Sequence, residues 1–199
     1  MSDPIREAKA RLRRQLKAQW KGCGAGARES ASRAVLDRLL SRPEWQAART
    51  VMCYAPLPDE LDLWPLAAQA LVEGRRLALP RFDPAAGAYE AAQVEDLERD
   101  VAAGAFGIRE PLAARPRIPL NQLDFVLVPG LGFAYNGRRL GRGKGYYDRL
   151  LTSIRGAACG VAMDWQVLEF IPAAPHDKHV DCILTPTRWL AVARRFADQ

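Results

Sequence analysis

Leu127-Val-Pro-Gly-Leu-Gly-Phe-Ala-Tyr-Asn-Gly-Arg-Arg-Leu-Gly-Arg-Gly-Lys-Gly-Tyr-Tyr-Asp-Arg-Leu-Leu151 passes from strand to glycine-rich loop to helix without a spacer. The apolar run from Leu123 to Val128, broken only by Asp124, predicts a buried strand that stops at Pro129-Gly130. Six glycines follow between Gly130 and Gly145, interleaved with Arg138, Arg139, Arg142 and Lys144. Tyr146 to Leu151 then reads as a helix start. A strand, a basic glycine loop and a helix N-terminus together present backbone N–H groups and cations to phosphate. Glycine lets the backbone approach the anion and adopt positive φ. The generic patterns do not fit. Lys144 is followed by Gly145 where a Walker loop has Ser or Thr, and Gly141-Arg-Gly143-Lys-Gly145 has the wrong spacing for a dinucleotide turn. Composition alone is also satisfied by a surface loop with solvated arginines.

Around this stretch the chain has the composition of one soluble α/β domain covering residues 1–199. Its 199 residues suffice for a sizeable core, and 49% hydrophobic with 26% charged residues is a globular balance. No apolar run nears the ~18 residues of a membrane span, and no signal-peptide core opens the chain. Cys23, Cys53, Cys159 and Cys182 are scattered without a C-x-x-C pair, which predicts reduced thiols and a cytoplasmic setting. The net charge of +6 favours anionic partners: nucleic acid, nucleotides or polyglutamyl chains.

On the N-terminal side, Ile5, Ala8, Leu12, Leu16 and Trp20 recur at helical spacing, and Lys9 and Arg13 share the face beside that stripe. Arg28 to Leu40 predicts a second helix. Thr50–Tyr54, a helix from Asp62 through Val72, and Arg75–Leu79 form a strand–helix–strand unit, hence a parallel pair. Glu60 lies in the loop Ala55-Pro-Leu-Pro-Asp-Glu-Leu-Asp62, where the first strand feeds its helix and α/β sheets collect ligands. An exposed loop acid explains Glu60 equally well. Arg81 to Val94 predicts a hairpin, and Glu95 to Ala103 an acidic helical piece. Past the glycine loop, a helix over Tyr146–Ile154, a strand over Ala157–Met163, an amphipathic piece over Gln166–Ile171 and strands at Cys182–Thr185 and Trp189–Ala193 complete the alternation. The fold class is α/β: a layered domain with a mostly parallel central sheet flanked by helices. A first-turn acid and a turn-forming Asp are the commoner explanations of Asp148 and Asp177, although Asp148, just past the basic loop, also stands where a hard cation bound to phosphate would need a ligand. Asp181 competes for the same metal. His176 and His179 have no third partner, so a transition-metal site is weakly supported.

The stretch Pro129 to Asp148 resembles the signature of the 5-formyltetrahydrofolate cyclo-ligase (5,10-methenyltetrahydrofolate synthetase) family. Further likenesses are Lys9-x-x-x-Arg13, the Asp59-Glu60 loop and the Gly107-Ile-Arg-Glu-Pro111 segment, which follows Phe106. The resemblance implies ATP- and Mg²⁺-dependent cyclisation of 5-formyltetrahydrofolate. It implies an ATP site at Lys9, Arg13, Arg139, Leu140, Gly141, Arg142, Gly143, Lys144, Gly145, Tyr146 and Tyr147. Substrate would meet Arg13, Ala55, Glu60, Arg142, Gly143, Lys144, Gly145 and Tyr146, with Arg142 and Lys144 as catalytic cations. Mg²⁺ would sit on Asp148 and Asp177. For the Glu-Pro segment it implies only a part in shaping the site. The protein is then a monomer acting on small molecules, without nucleic acid or membrane. Ala134-Tyr135 and Met163-Asp164-Trp165 depart from the family pattern, without removing a phosphate or metal contact.

Two rivals remain at this stage. A nucleic-acid-binding module accounts for the positive charge but gains nothing from Asp148 or Asp177. Another phosphate-binding α/β enzyme shares the fold, which does not fix function.

Overall fold

Phe125–Pro129 forms the middle of the sheet, and its first four residues are buried. A strand covered on both faces needs this unbroken apolar run. Phe125 and Leu127 belong to one core cluster, Val126 and Val128 to the opposite one, as a side-chain period of two requires. The computed structural model describes residues 3–104, 107–175 and 177–192. Its strands are β1 (Thr50–Met52), β2 (Arg76–Asp83), β3 (Ala88–Val94), β4 (Val101–Ala103), β5 (Arg109–Pro111), β6 (Arg117–Ile118), β7 (Phe125–Pro129), β8 (Gly132–Ala134), β9 (Arg139–Leu140), β10 (Ala157–Val161), β11 (Val167–Leu168), β12 (Cys182–Leu184) and β13 (Trp189–Ala191). Its helices are α1 (Pro4–Lys21), α2 (Ala25–Leu40), α3 (Pro43–Ala47), α4 (Trp64–Val72) and α5 (Tyr146–Thr152).

Eight strands make the main sheet, in the order β13-β12-β10-β7-β1-β2-β3-β6. The centre, from β12 to β2, is parallel, and the outer pairs are antiparallel. This is the layered α/β arrangement the alternation predicts. Residues of α2, α3 and α4 fill one core, with Val35, Leu39, Trp45 and Leu66 at most 1% exposed. Leu150 and Leu151 of α5 close the opposite face with Phe133. A third cluster joins Leu16 of α1 to Leu131, Ala134 and Leu140, and so seats the N-terminal helix against the glycine-rich segment.

Asp124, the one polar residue in the predicted strand, lies just before β7. Its Oδ2 accepts the N–H groups of Arg49 and Thr50 at 2.9 and 2.8 Å, which clamps β1 to β7. Asp62, which the sequence offers as the cap of α4, lies one residue before the N-cap Leu63, and Leu63 has no capping side chain; Asp62 Oδ1 instead accepts the Trp64 N–H at 2.9 Å, with Pro65 in the first turn.

Several expectations are corrected. Glu95–Ala103 is not helical. Asp100 Oδ2 accepts the Glu95 and Asp96 N–H groups, and Val101–Ala103 then pairs with β5, so local turns and strand pairing outweigh the run's acidic composition. The glycine-rich segment is not one loop, because β8 and β9 pair within it before the chain reaches Gly141. α2 begins at Ala25 rather than Arg28, the glycines before it serving as its entry. α3 was not anticipated; Pro43 starts it and buried Trp45 anchors it. β2 runs straight through Arg81 to Asp83, and α5 ends at Thr152. β10 ends at Val161, and Gln166–Ile171 supplies only the end of a short 3₁₀ turn and β11. Phe106, His176 and Ala193 lie outside the described residues.

Candidate active site

A cleft of about 1080 Å³ opens beyond the carboxyl ends of β1 and β7, at Tyr54-Ala55 and Pro129-Gly130. Ligands collect at this edge in parallel α/β sheets, because neighbouring strands send their loops apart there. The cleft is walled by the N-terminal half of α1, the segment from Arg139 to Asp148, the Glu60 loop, Tyr89 of β3 and Glu110 of β5. Every residue predicted for the ATP, folate and metal sites lines it.

α1 reaches the cleft through the helical spacing of Lys9 and Arg13. Lys9 is buried and forms an ion pair with Asp177, the two side chains being 11% and 12% exposed. Arg13 Nε donates to the Gly141 carbonyl at 2.8 Å, tying the helix to the loop. Burial pulls the Arg13 pKa down, and the Asp177 charge opposes that pull. Asp177 Oδ2 also accepts the Ala174 N–H at 2.6 Å.

Gly143 and Gly145 have φ of +103° and +67°, conformations that side chains other than glycine rarely adopt. At Gly141 the constraint is different: an added Cβ would lie 2.7 Å from Arg139 Nη1. Arg139 is itself buried. It pairs with Asp148 at 3.1 Å and lies over the Tyr147 ring, so it supports the loop from below. Leu140 is core, at 1% exposed, with only its edge on the cleft. Arg142 is forked between two acids, at 3.0 Å from Asp59 Oδ2 and 3.1 Å from Glu60 Oε1. Burial works against its charge, but the hydrogen bonds with these acids prevail and its pKa is raised. Lys144 is exposed at the cleft rim and forms no ion pair among the described residues.

Glu60 faces the cleft from the opposite wall. Oε2 accepts the Leu57 N–H at 3.0 Å while Oε1 holds Arg142. Burial pushes its carboxyl pKa up, and the Leu57 amide and Arg142 partly restore it. Between the two walls stands an aromatic group. Tyr146 lies 5.2 Å from both Phe82 and Tyr89, centroid to centroid, and Tyr147 lies 6.0 Å from Tyr89. Tyr147 packs on the core and its buried phenol is held well above the usual range, so it stays neutral.

Asp148 and Asp177 share one corner of the cleft, since Asp148 Oδ1 accepts the N–H of Lys178 at 3.3 Å. Their carboxylate oxygens are the donors a hard cation takes. Among the described residues no cluster of three or more His, Cys, Asp and Glu side chains gathers to hold a metal, here or elsewhere. Mg²⁺ on one or two carboxylates and phosphate oxygens needs no such cluster. Asp181 is not a member of this corner: its Oδ2 accepts the Ala158 N–H at 2.9 Å and joins β12 to β10. His179 Nδ1 contacts the Asn136 carbonyl at 3.0 Å, away from the cleft. Sequence reasoning gave Tyr89 no role and left Glu110 without a chemical one. Tyr89 carried no signal, since it read only as the returning arm of a hairpin.

The fold and the cleft are those of an α/β enzyme with a basic cleft, in which Lys9, Arg139 and Arg142 are held by acids. The chain belongs to the 5-formyltetrahydrofolate cyclo-ligase family, whose profile matches residues 5–186. It is 35% identical over 155 residues to the 5-formyltetrahydrofolate cyclo-ligase of Mycolicibacterium smegmatis, covering 74% of this chain and 79% of that one. With the Escherichia coli K12 enzyme of the same name it shares 30% over 155 residues, covering 76% and 85%. Among solved structures, the Aquifex aeolicus 5,10-methenyltetrahydrofolate synthetase superposes with a TM-score of 0.85 at 33% identity, covering 96% of both chains.

Proposed function

We propose that this protein converts 5-formyltetrahydrofolate and ATP to 5,10-methenyltetrahydrofolate, ADP and phosphate, with Mg²⁺. One observation carries this reading beyond family membership. Lys9 and Arg13, far apart in sequence from the Arg139–Gly145 segment, meet it in one cleft facing Glu60. In the reaction, the formyl oxygen forms a bond to the γ-phosphorus and the β,γ-bridging P–O bond breaks toward ADP. N10 then attacks the activated formyl carbon and loses its proton. Phosphate departs with the C–O electron pair, leaving the methenyl bridge. Phosphoryl transfer asks the protein mainly for alignment and charge neutralisation.

Lys9, Arg13, Arg142 and Lys144 supply that charge. Each of the first three is tied to a protein acceptor, so phosphate oxygens would replace Asp177, the Gly141 carbonyl, or Asp59 and Glu60 as their partners. Asp148 and Asp177 would hold Mg²⁺, which supplies further neutralisation of the phosphates. Ala55 and Tyr146 would bound the folate side, with Glu60 accepting from pterin N–H groups. The basic residues converge on a concave cleft, where Lys9 and Arg142 are paired with acids, which does not favour a nucleic-acid surface.

The test is an assay of purified protein with 5-formyltetrahydrofolate, ATP and Mg²⁺, following the near-ultraviolet absorbance of the methenyl product. Turnover that requires all three, and collapses in Lys144→Ala with an unchanged circular dichroism spectrum, supports the reading. ATP binding without turnover would overturn the substrate assignment.

A further inference from the structure

Glu110 lies on β5, in the segment for which the sequence offered no chemical role, and it lines the cleft while only 9% exposed. Its side chain packs flat over Gly104, where an added Cβ would meet Glu110 Cγ and Cδ at 2.6 Å. Oε2 accepts the Phe82 N–H at 3.2 Å. Oε1 is buried and accepts from no group among the described residues. Burial pushes the carboxyl pKa up, with the Phe82 amide and Arg81 opposing.

The other cleft carboxylates near the reacting region are committed: Glu60 to Leu57 and Arg142, Asp148 to Arg139, and Asp177 to Lys9. Glu110 alone among them keeps a buried oxygen without a donor. Buried polar atoms are almost always satisfied, and an exception on a side chain that lines a cleft is a place where a ligand can supply the partner. The neighbourhood says what kind of partner. The Glu110 charge contributes, after burial, to holding the Tyr89 phenol up at about 12, so the acid lies within electrostatic reach of the Phe82–Tyr89–Tyr146 group. An aromatic wall beside a lone acceptor suits a flat heterocycle with N–H groups on its edge.

We propose that Glu110 is a second folate-recognising carboxylate. Its free oxygen accepts an N–H from the aminopyrimidine edge of the pterin while the ring lies against the aromatic wall. This rests on the cyclo-ligase reading above. Among the described residues Glu110 forms no hydrogen bond or ion pair with Lys9, Arg13, Arg142 or Lys144, so it positions the folate and leaves nucleotide affinity alone.

The experiment uses the full chain and three proteins: wild type, Glu110→Gln and Glu110→Asp. Glutamine is isosteric; with its oxygen kept on the Phe82 amide, it turns an N–H toward the ligand. Aspartate keeps the charge and withdraws the oxygen. Initial rates of methenyl formation give KM for 5-formyltetrahydrofolate at saturating ATP, alongside the nucleotide Kd and the melting temperature. The expected result is a rise in that KM of about tenfold or more in both variants, with nucleotide Kd within about twofold of wild type and no fall in melting temperature for Glu110→Gln. Wild-type turnover with an unchanged folate KM in both variants overturns the inference alone. Parallel losses of folate KM, nucleotide affinity and melting temperature also overturn it, because they mark a structural support. Absence of turnover in the wild type overturns the cyclo-ligase reading, and the inference falls with it.

Discussion

Replacing Lys9 with methionine tests the pairing that joins α1 to the rest of the cleft. Methionine keeps most of the aliphatic stem and deletes the charge, removing the Lys9 contribution from Asp177, which is only 12% exposed. Breaking a buried pair from one side costs about 3–5 kcal/mol when nothing replaces the lost partner. Here the Ala174 N–H still donates to Asp177 and the cleft admits water, so the cost falls to about 2 kcal/mol. For a chain of this size that lowers the melting temperature by roughly 4–8 °C. Removing both charges, in Lys9→Met with Asp177→Asn, leaves no uncompensated ion and returns stability to within about 1 kcal/mol of wild type. Calorimetry with and without ATP·Mg²⁺ supplies the second half of the test. Nucleotide at about a hundred times its Kd stabilises the wild type by about 2.7 kcal/mol, and both variants lose most of that gain. A double variant no more stable than the single one would refute the pairing argument. A full nucleotide-induced shift in Lys9→Met would remove Lys9 from the phosphate site.

Gly156→Ala should destabilise by more than about 2 kcal/mol in urea denaturation, because the new Cβ would sit 2.2 Å from the Leu123 carbonyl oxygen, a backbone atom that cannot turn away. Glu110→Gln should be more stable than wild type near pH 7. Burial raises the folded-state pKa of Glu110, so wild-type stability improves as pH falls from the raised value to the ordinary glutamate range, and the gap between the two proteins closes there. Denaturation curves at three pH values check the sign. Thiol titration of native protein should find Cys23 alone reactive, with all four cysteines reacting in denaturant. The other three are buried, and burial pushes the Cys53 thiol up to about 12.

The parallel core was legible because β7 is apolar on both faces, and the reach of α1 into the cleft because Lys9 and Arg13 sit four residues apart beside a helical stripe. What escaped the sequence was mostly non-local. The hairpin inside the glycine-rich segment depends on pairing between Gly132 and Leu140, which glycine spacing does not encode. Asp181 carries the same side chain as Asp177 and differs only in facing the Ala158 amide. The unsatisfied oxygen of Glu110 exists only after β5 is brought beside Phe82 and Gly104. No window of sequence holds that information.

The contacts of α1 also bear on the order in which the molecule can be made. Lys9 and Asp177 are 168 positions apart, and Arg13 and Gly141 are 128 apart. A ribosome adding about 5–20 residues per second needs on the order of ten to thirty seconds to cover the larger interval. During that delay the nascent N-terminal helix has neither its ionic partner nor the loop that Arg13 holds. The cleft wall that α1 shares with the Arg139–Asp148 segment therefore forms only after that segment has been made. A chain stopped before Gly141, even one whose parallel core has begun to form, lacks the partner that holds Arg13 at the cleft.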